Sequence, residues 1–247
     1  MGQTVNILGV EVSSRTMAET VQEALRLVSC RRGQIVTANA EILYTAHREK
    51  DFMAVLCQAE LITADGMGAV LASRLLGDPV PERVSGYDLL HHLAAAAAKR
   101  GLRLFLLGGK PGVAERAAEK LKALYPGLQI AGTRHGYFKD NEISAVLCEA
   151  KATSPDLLLA ALGMRGEFLL AAHKDALGCA SMQVGGSFDV LAGVAQRAPQ
   201  FLQRAGLEWA FRLYKEPWRY KRMLSLPKFM AAVLLTRSQR HKGEVKK

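Results

Sequence analysis

The residues in this chain best suited to chemistry stand at Ala64-Asp65-Gly66-Met67-Gly68, where a carboxylate follows the short apolar run Leu61 to Ala64 and two glycines follow the carboxylate. The run is too short and unpatterned for a helix and predicts a buried strand, with Gly66 and Gly68 allowing a tight turn. Asp65 is then delivered at a strand's C-terminal end, where open parallel α/β sheets bind ligands, as a general-base candidate. Local propensity alone favours a plainer role, capping the next helix. Other polar and glycine positions recur just after apolar runs: Thr37 and Asn39, Gly108 and Gly109, Glu167, and Gly185 with Gly186. Thr37 and Asn39 could rim a sugar, although Asn39 also fits a helix cap. The Gly108-Gly109-Lys110-Pro111-Gly112 turn could expose N–H groups to a phosphate, yet it is neither a P-loop nor a dinucleotide fingerprint. Arg83, in a loop with two prolines, could bind phosphate or carboxylate.

These positions must be held by an alternation of strands and helices. A first strand is predicted over about Val5 to Val12, then a helix over Thr16 to Val28 with Thr16 as cap and Glu19 as its capping-box partner. Further strands are expected at 34–37, 61–64, 103–107, 129–133, 156–162 and 180–184. Helices are expected over about 38–47, 68–75, 87–100, the stretch ending near Tyr125, 141–153 and 168–177. The pattern is that of a doubly wound α/β domain with a mostly parallel sheet flanked by helices. His91 and His92 are adjacent and cannot share a helix face as metal ligands, so they are expected to be ordinary helix residues.

Charge divides the chain. Residues 1–195 hold 20 Lys+Arg and 20 Asp+Glu, whereas residues 196–247 hold 13 against 3, so all of the +10 lies in the tail. The expected organisation is a 1–195 α/β domain and a 196–247 basic helical C-terminal appendage. In the appendage, cations alternate with Trp209, Phe211, Trp218, Tyr220 and Phe229, as in an interfacial membrane segment, and the longest apolar run is far short of a bilayer span. Nucleic acid is disfavoured as partner, since the aliphatic content exceeds what phosphate binding needs. The four cysteines form no C-x-x-C pair, which argues against a zinc site or disulfide framework and for reduced, mostly buried thiols. The N-terminus lacks the pattern of a signal peptide, so the expected location is cytoplasmic.

With these segments placed, the chain resembles the TagA/TarA/WecG family of bacterial glycosyltransferases over nearly its whole length. The resemblance rests on Thr37-Ala38-Asn39-Ala40-Glu41, Ala64-Asp65-Gly66, Pro81-Glu82-Arg83-Val84-Ser85-Gly86, Leu106-Leu107-Gly108-Gly109, His135-Gly136-Tyr137-Phe138, Gly185 to Gly193, Arg197-Ala198-Pro199 and Leu207-Glu208-Trp209. It implies inverting, metal-independent transfer of an N-acetylmannosamine-type sugar from a UDP donor to a polyprenyl-diphosphate-linked N-acetylglucosamine at the inner face of the cell membrane. No cofactor or metal is implied. Asp65 would be the base. Thr37, Asn39, Arg83, Gly108, Gly109, Tyr137, Glu167, Gly185 and Gly186 would contact substrates, and Arg212, Arg219 and Arg222 of the appendage would supply positive charge to the diphosphate. The implied partners are the UDP-sugar donor, the lipid-linked acceptor and the membrane surface met by the tail, with a homo-oligomer left open. The alternative reading is a non-catalytic nucleotide-sugar or anionic-lipid binding protein.

One segment departs from the family. Where Gly-x-Pro-x-Gln-Glu-x-Trp is usual, this chain has Gly163-Met164-Arg165-Gly166-Glu167-Phe168-Leu169. Glu167 either replaces the glutamine without a gap or matches the glutamate after a one-residue deletion; proline, glutamine and tryptophan are absent in both alignments.

Overall fold

The computed structural model describes residues 4–217, 220 and 224–244, without the side chains of Arg204 and of residues 240–244. The chain opens with an antiparallel hairpin, β1 (Thr4–Ile7) and β2 (Val10–Ser13), rather than the single strand expected over Val5 to Val12. Leu8 and Gly9 reverse it at φ of 54° and 95°, a turn that the alternating apolar pattern on either side conceals. Helix α1 (Met17–Ser29) follows with the predicted Thr16–Glu19 capping box in place.

The main sheet comprises β3 (Gln34–Ala38), β4 (Leu61–Ala64), β5 (Arg103–Gly108), β6 (Gln129–Arg134), β7 (Leu157–Ala161) and β8 (Ala180–Gln183). All pairings are parallel, in the order β4-β3-β8-β7-β5-β6. Between the first two run α2 (Ala40–Arg48) and α3 (Lys50–Leu56), and α4 (Met67–Leu75) and α5 (Gly86–Arg100) follow β4. The rest of the body adds α6 (Val113–Leu124), α7 (Ile143–Ala152), α8 (Met164–Leu177) and α9 (Ser187–Leu191).

Apart from the edge strand β6, the strands are mostly buried on both faces, as a sheet covered on both sides requires. On one face Ile35, Leu61, Leu104, Leu159 and Met182 pack with α1, α5, α6 and α9. On the other, Val36, Ala38 and Ile62 pack with α2, α3, α4 and the hairpin, while Phe105, Leu158 and Ala160 pack with α7 and α8. The chain is thus a doubly wound α/β fold.

The basic segment forms α10 (Gln200–Arg204), α11 (Glu208–Lys215) and α12 (Ser225–Glu244). Its two larger helices are attached differently. On α12, Phe229 and Val233 are fully buried in the same cluster as Val36 and Phe52, so the core crosses the charge boundary at residue 195. Burying one such side chain stabilises by about 1.5–3 kcal/mol. No side chain of α11 is buried, and Trp209 and Tyr214 stand open with Phe201 and Leu207 nearby. Among the described residues no helix is long and apolar enough to cross a membrane. Cys30, Cys57 and Cys148 are exposed and only Cys179 is buried, correcting the expectation of mostly buried thiols; Cys30 and Cys57 end helices, where their side chains leave the core.

Candidate active site

Asp65 is the first residue beyond β4, and its N–H donates to the Ala38 carbonyl at 2.9 Å, extending the β3–β4 ladder. The following loop turns back along the strand end: the Val84 N–H donates to the Ala64 carbonyl at 3.0 Å, and the Thr63 hydroxyl to the Val84 carbonyl at 3.2 Å. These bonds set Arg83, Ser85 and the start of α5 beside the carboxylate. Asp65 caps nothing on α4, whose N-cap is Gly66 at φ 93° with no side-chain bond. Its Oδ2 instead accepts the Gly86 N–H at 3.3 Å, at the positive N-terminal end of α5. Gly86 is required there, because a Cβ would lie 2.8 Å from the Thr37 hydroxyl oxygen. Thr37 is therefore seated against the residue that holds Asp65.

An ion-pair ladder surrounds this corner. Arg83 donates to Glu208 at 3.2 Å and pairs with Asp88 at 3.4 Å; Arg212 donates to the other Glu208 oxygen at 2.9 Å; Arg197 donates to Asp88 at 2.8 Å and lies 4.2 Å over the Tyr87 ring. Burial opposes ionisation of Asp88, yet the bonds from Ser85 and Arg197 outweigh it and hold its carboxyl below the ordinary range. Asp65 goes the other way. Desolvation pushes it up to about 6, the Gly86 N–H, Arg83 and Arg212 pull it down, and Glu208 adds to the rise. A carboxyl poised near 6 is largely ionised at neutral pH and more basic than an exposed aspartate, as proton removal from a hydroxyl needs.

Further along the same edge a cleft of about 710 Å³ opens between β5 and β7, where the following helices α6 and α8 leave to opposite faces. Such a divergence is where open α/β sheets take ligands. Gly109, Gly136, Tyr137, Ala161, Lys110 and Arg165 line it. The Gly109 N–H is engaged with the Ala161 carbonyl at 3.1 Å, which leaves it out of the N–H groups that the turn could offer a phosphate. Gly108 is needed for close approach: at φ 139°, a Cβ would lie 2.4 Å from the Ala161 oxygen. Tyr137, 65% exposed, rises over the cleft on a loop fastened by Arg165, which donates to the Phe138 carbonyl and to Asp140 and covers the Phe138 ring. Gly185, at φ 53°, and Gly186 lie on the neighbouring turn into α9.

The structure thus brings Thr37, Asp65, Arg83 and Arg212 to one corner and Gly108, Gly109, Tyr137, Gly185 and Gly186 along the same edge. Asn39 stands next to the corner, its Oδ1 accepting the Ile42 N–H as the cap of α2. Glu167 does not join them. It lies within α8, which starts at Met164 rather than Phe168, and at 1% exposure its Oε2 accepts from Gln34 at 2.9 Å beneath the sheet. Arg219 and Arg222 lie outside the described residues. Sequence reasoning missed Asp88, Arg197 and Glu208 as parts of the corner; the available signal was that Asp88 follows the Arg83 motif, Glu208 lies one helical turn before Arg212, and Arg197 stands in the Arg197-Ala198-Pro199 motif.

A carboxyl raised to about 6 and a cleft on one edge of a doubly wound sheet have the layout of a group-transfer enzyme. Residues 5–243 match the glycosyl transferase WecG/TagA/CpsF family, and the chain belongs to that family. It is 40% identical over 202 residues to the N-acetylglucosaminyldiphosphoundecaprenol N-acetyl-beta-D-mannosaminyltransferase of Bacillus spizizenii, covering 81% of this chain and 78% of that protein. The protein of the same description from Bacillus subtilis is 37% identical over 202 residues, with the same coverage. That from Staphylococcus aureus is 32% identical over 231 residues, 92% of this chain and 90% of the relative. The chain is accordingly a glycosyltransferase.

Proposed function

We propose that this glycosyltransferase moves an N-acetylmannosamine-type sugar from a UDP donor to a polyprenyl-diphosphate-linked N-acetylglucosamine, with inversion and without a metal, at the cytoplasmic face of the membrane. The observation that carries the proposal is the Asp65 carboxylate, held on the first N–H of α5, raised to about 6 and flanked by Arg83 and Arg212. The relatives' described activity supplies the sugar and the acceptor.

In this reading Asp65 takes the proton of the acceptor hydroxyl as that oxygen attacks the anomeric carbon. The bond from that carbon to the UDP oxygen breaks on the opposite face, and its electron pair leaves with UDP. Arg83 and Arg212 stabilise negative charge on diphosphate, a role proposed also for Arg219 and Arg222, and guanidinium forks suit that task. Thr37 and Asn39 rim the sugar, and the cleft under Tyr137, with Gly108, Gly109, Gly185 and Gly186, takes the donor. Glu167 is left out of substrate contact because its side chain is buried. The open aromatics of α10 and α11 among basic residues are suited to an anionic headgroup layer. The test is UDP release with a short-chain lipid-diphosphate acceptor: release should require the acceptor, survive chelator and disappear in Asp65→Asn. Full activity in that variant would refute the assignment.

A further inference from the structure

The corner that the proposed reading gives to a diphosphate is already occupied by a carboxylate of the chain itself. Glu208 bridges two guanidiniums, Oε2 accepting from Arg83 at 3.2 Å and Oε1 from Arg212 at 2.9 Å. Two arginines converging on the two oxygens of one anion is the arrangement a phosphate group would also satisfy. Including Asp65, Asp88 and Arg197, three carboxylates face three guanidiniums among the described residues, with no formal excess charge between them. A diphosphate can use the donors of Arg83 and Arg212 only where Glu208 gives them up.

The attachment of Glu208 is of a kind that can be given up. It is the first residue of α11, preceded by Leu207 with no side-chain cap, and no side chain of that helix is buried. The segment is held here by ion pairs and not by core packing, unlike α12. A multiply charged phosphate offers each guanidinium more negative charge than one shared carboxylate does, and so competes with these pairs. We infer that Glu208 is a positioning residue: it stands in the unliganded site for the diphosphate of the substrate, keeping Arg83 and Arg212 aligned until that anion displaces it. The inference rests on the proposed reading of the corner as a diphosphate site.

Calorimetric titration of the full-length chain with inorganic pyrophosphate and with UDP tests it. Glu208→Gln removes the competing charge and retains a hydrogen-bonding group. About three- to tenfold tighter binding than in the wild type is expected, the scale of one lost competing pair. The gain should vanish when Arg83→Gln is added. The acid limb of kcat/KM should also move to lower pH, since Glu208 raises the Asp65 carboxyl. Unchanged or weaker binding in Glu208→Gln, or binding by neither protein, would overturn the inference and leave Glu208 a structural tie. If Glu208→Gln does not fold, Glu208→Asp, one methylene too short to span both guanidiniums, must tighten binding in its place. Activity of Asp65→Asn judges the transferase reading separately, since pyrophosphate binding needs no turnover.

Discussion

Asp65 and Glu167 are both carboxyls that burial pushes up, to about 6 and about 7, and their surroundings have little else in common. Asp65 has a helix N-terminus on one oxygen and two guanidiniums near enough to pull it back towards ionisation. Glu167 has the Gln34 amide, with no charged group to offset desolvation. Its Oε1 and the Gln34 Oε1 are both buried without a partner, a seam that a proton on Glu167 relieves by adding a donor. A raised carboxyl pKa therefore marks desolvation first. It marks a candidate base only where compensating positive charge keeps the ionised form in reach and a substrate can approach.

The largest difference between the two is expected in turnover. Asp65→Asn should lower UDP release by about 10²–10⁴-fold, the usual scale for a lost general base, whereas Glu167→Gln should stay within about threefold of wild type. A large loss in Glu167→Gln with the fold intact would collapse the distinction. Next in size, Arg83→Gln removes charge that lowers the Asp65 carboxyl, so the limb of kcat/KM near pH 6 should move to higher pH and the maximum should fall. Glu167→Gln should leave that limb in place.

Stability carries the smaller effects. Both carboxyls have folded values above their reference values of 3.8 and 4.5, so the fold binds protons more tightly than the unfolded chain does. Their stabilising contribution is complete below about pH 4 and is lost as pH rises to about 6 for Asp65 and about 7 for Glu167. Thermal melts should fall between about pH 4 and 7, and Glu167→Gln should flatten the part of that decline nearest neutrality. At about pH 8 it should raise stability by no more than about 3.5 kcal/mol, since each tenfold change in proton affinity corresponds to about 1.4 kcal/mol. Asp65→Asn should raise the melting temperature at the same pH by less, a few degrees, because Arg83 and Arg212 already offset part of the cost. A fall in melting temperature in either variant would show that the ionised carboxylate is a net stabiliser.

Much of the frame is visible in local patterns. The strand over Leu61 to Ala64 and the Thr16–Glu19 box stand where apolar runs and capping chemistry put them. The hairpin at Leu8-Gly9 is hidden because alternation continues through a turn that one residue with positive φ and one glycine suffice to make. The start of α8 lies four residues before its expected place because Gly163 and Gly166 look like loop, while Gly166 serves packing: a Cβ there would sit 2.0 Å from the Gln183 amide nitrogen. The tail's charge is plain in the sequence, but not that Phe229 and Val233 of the same tail belong to the core.

By itself the sequence determined the alternation of elements, the delivery of Asp65 at a strand end and the concentration of positive charge after residue 195, because each depends on neighbours within a few positions. Tertiary structure alone decided which partners those residues meet. Asp65 found the N-terminus of a helix 21 residues on, and Arg83 met Glu208 across 125 residues. Glu167, which sequence aligned with the substrate edge, is turned beneath the sheet. The reason is physical: desolvation and charge pairing depend on distance in space, and local propensity carries no measure of it.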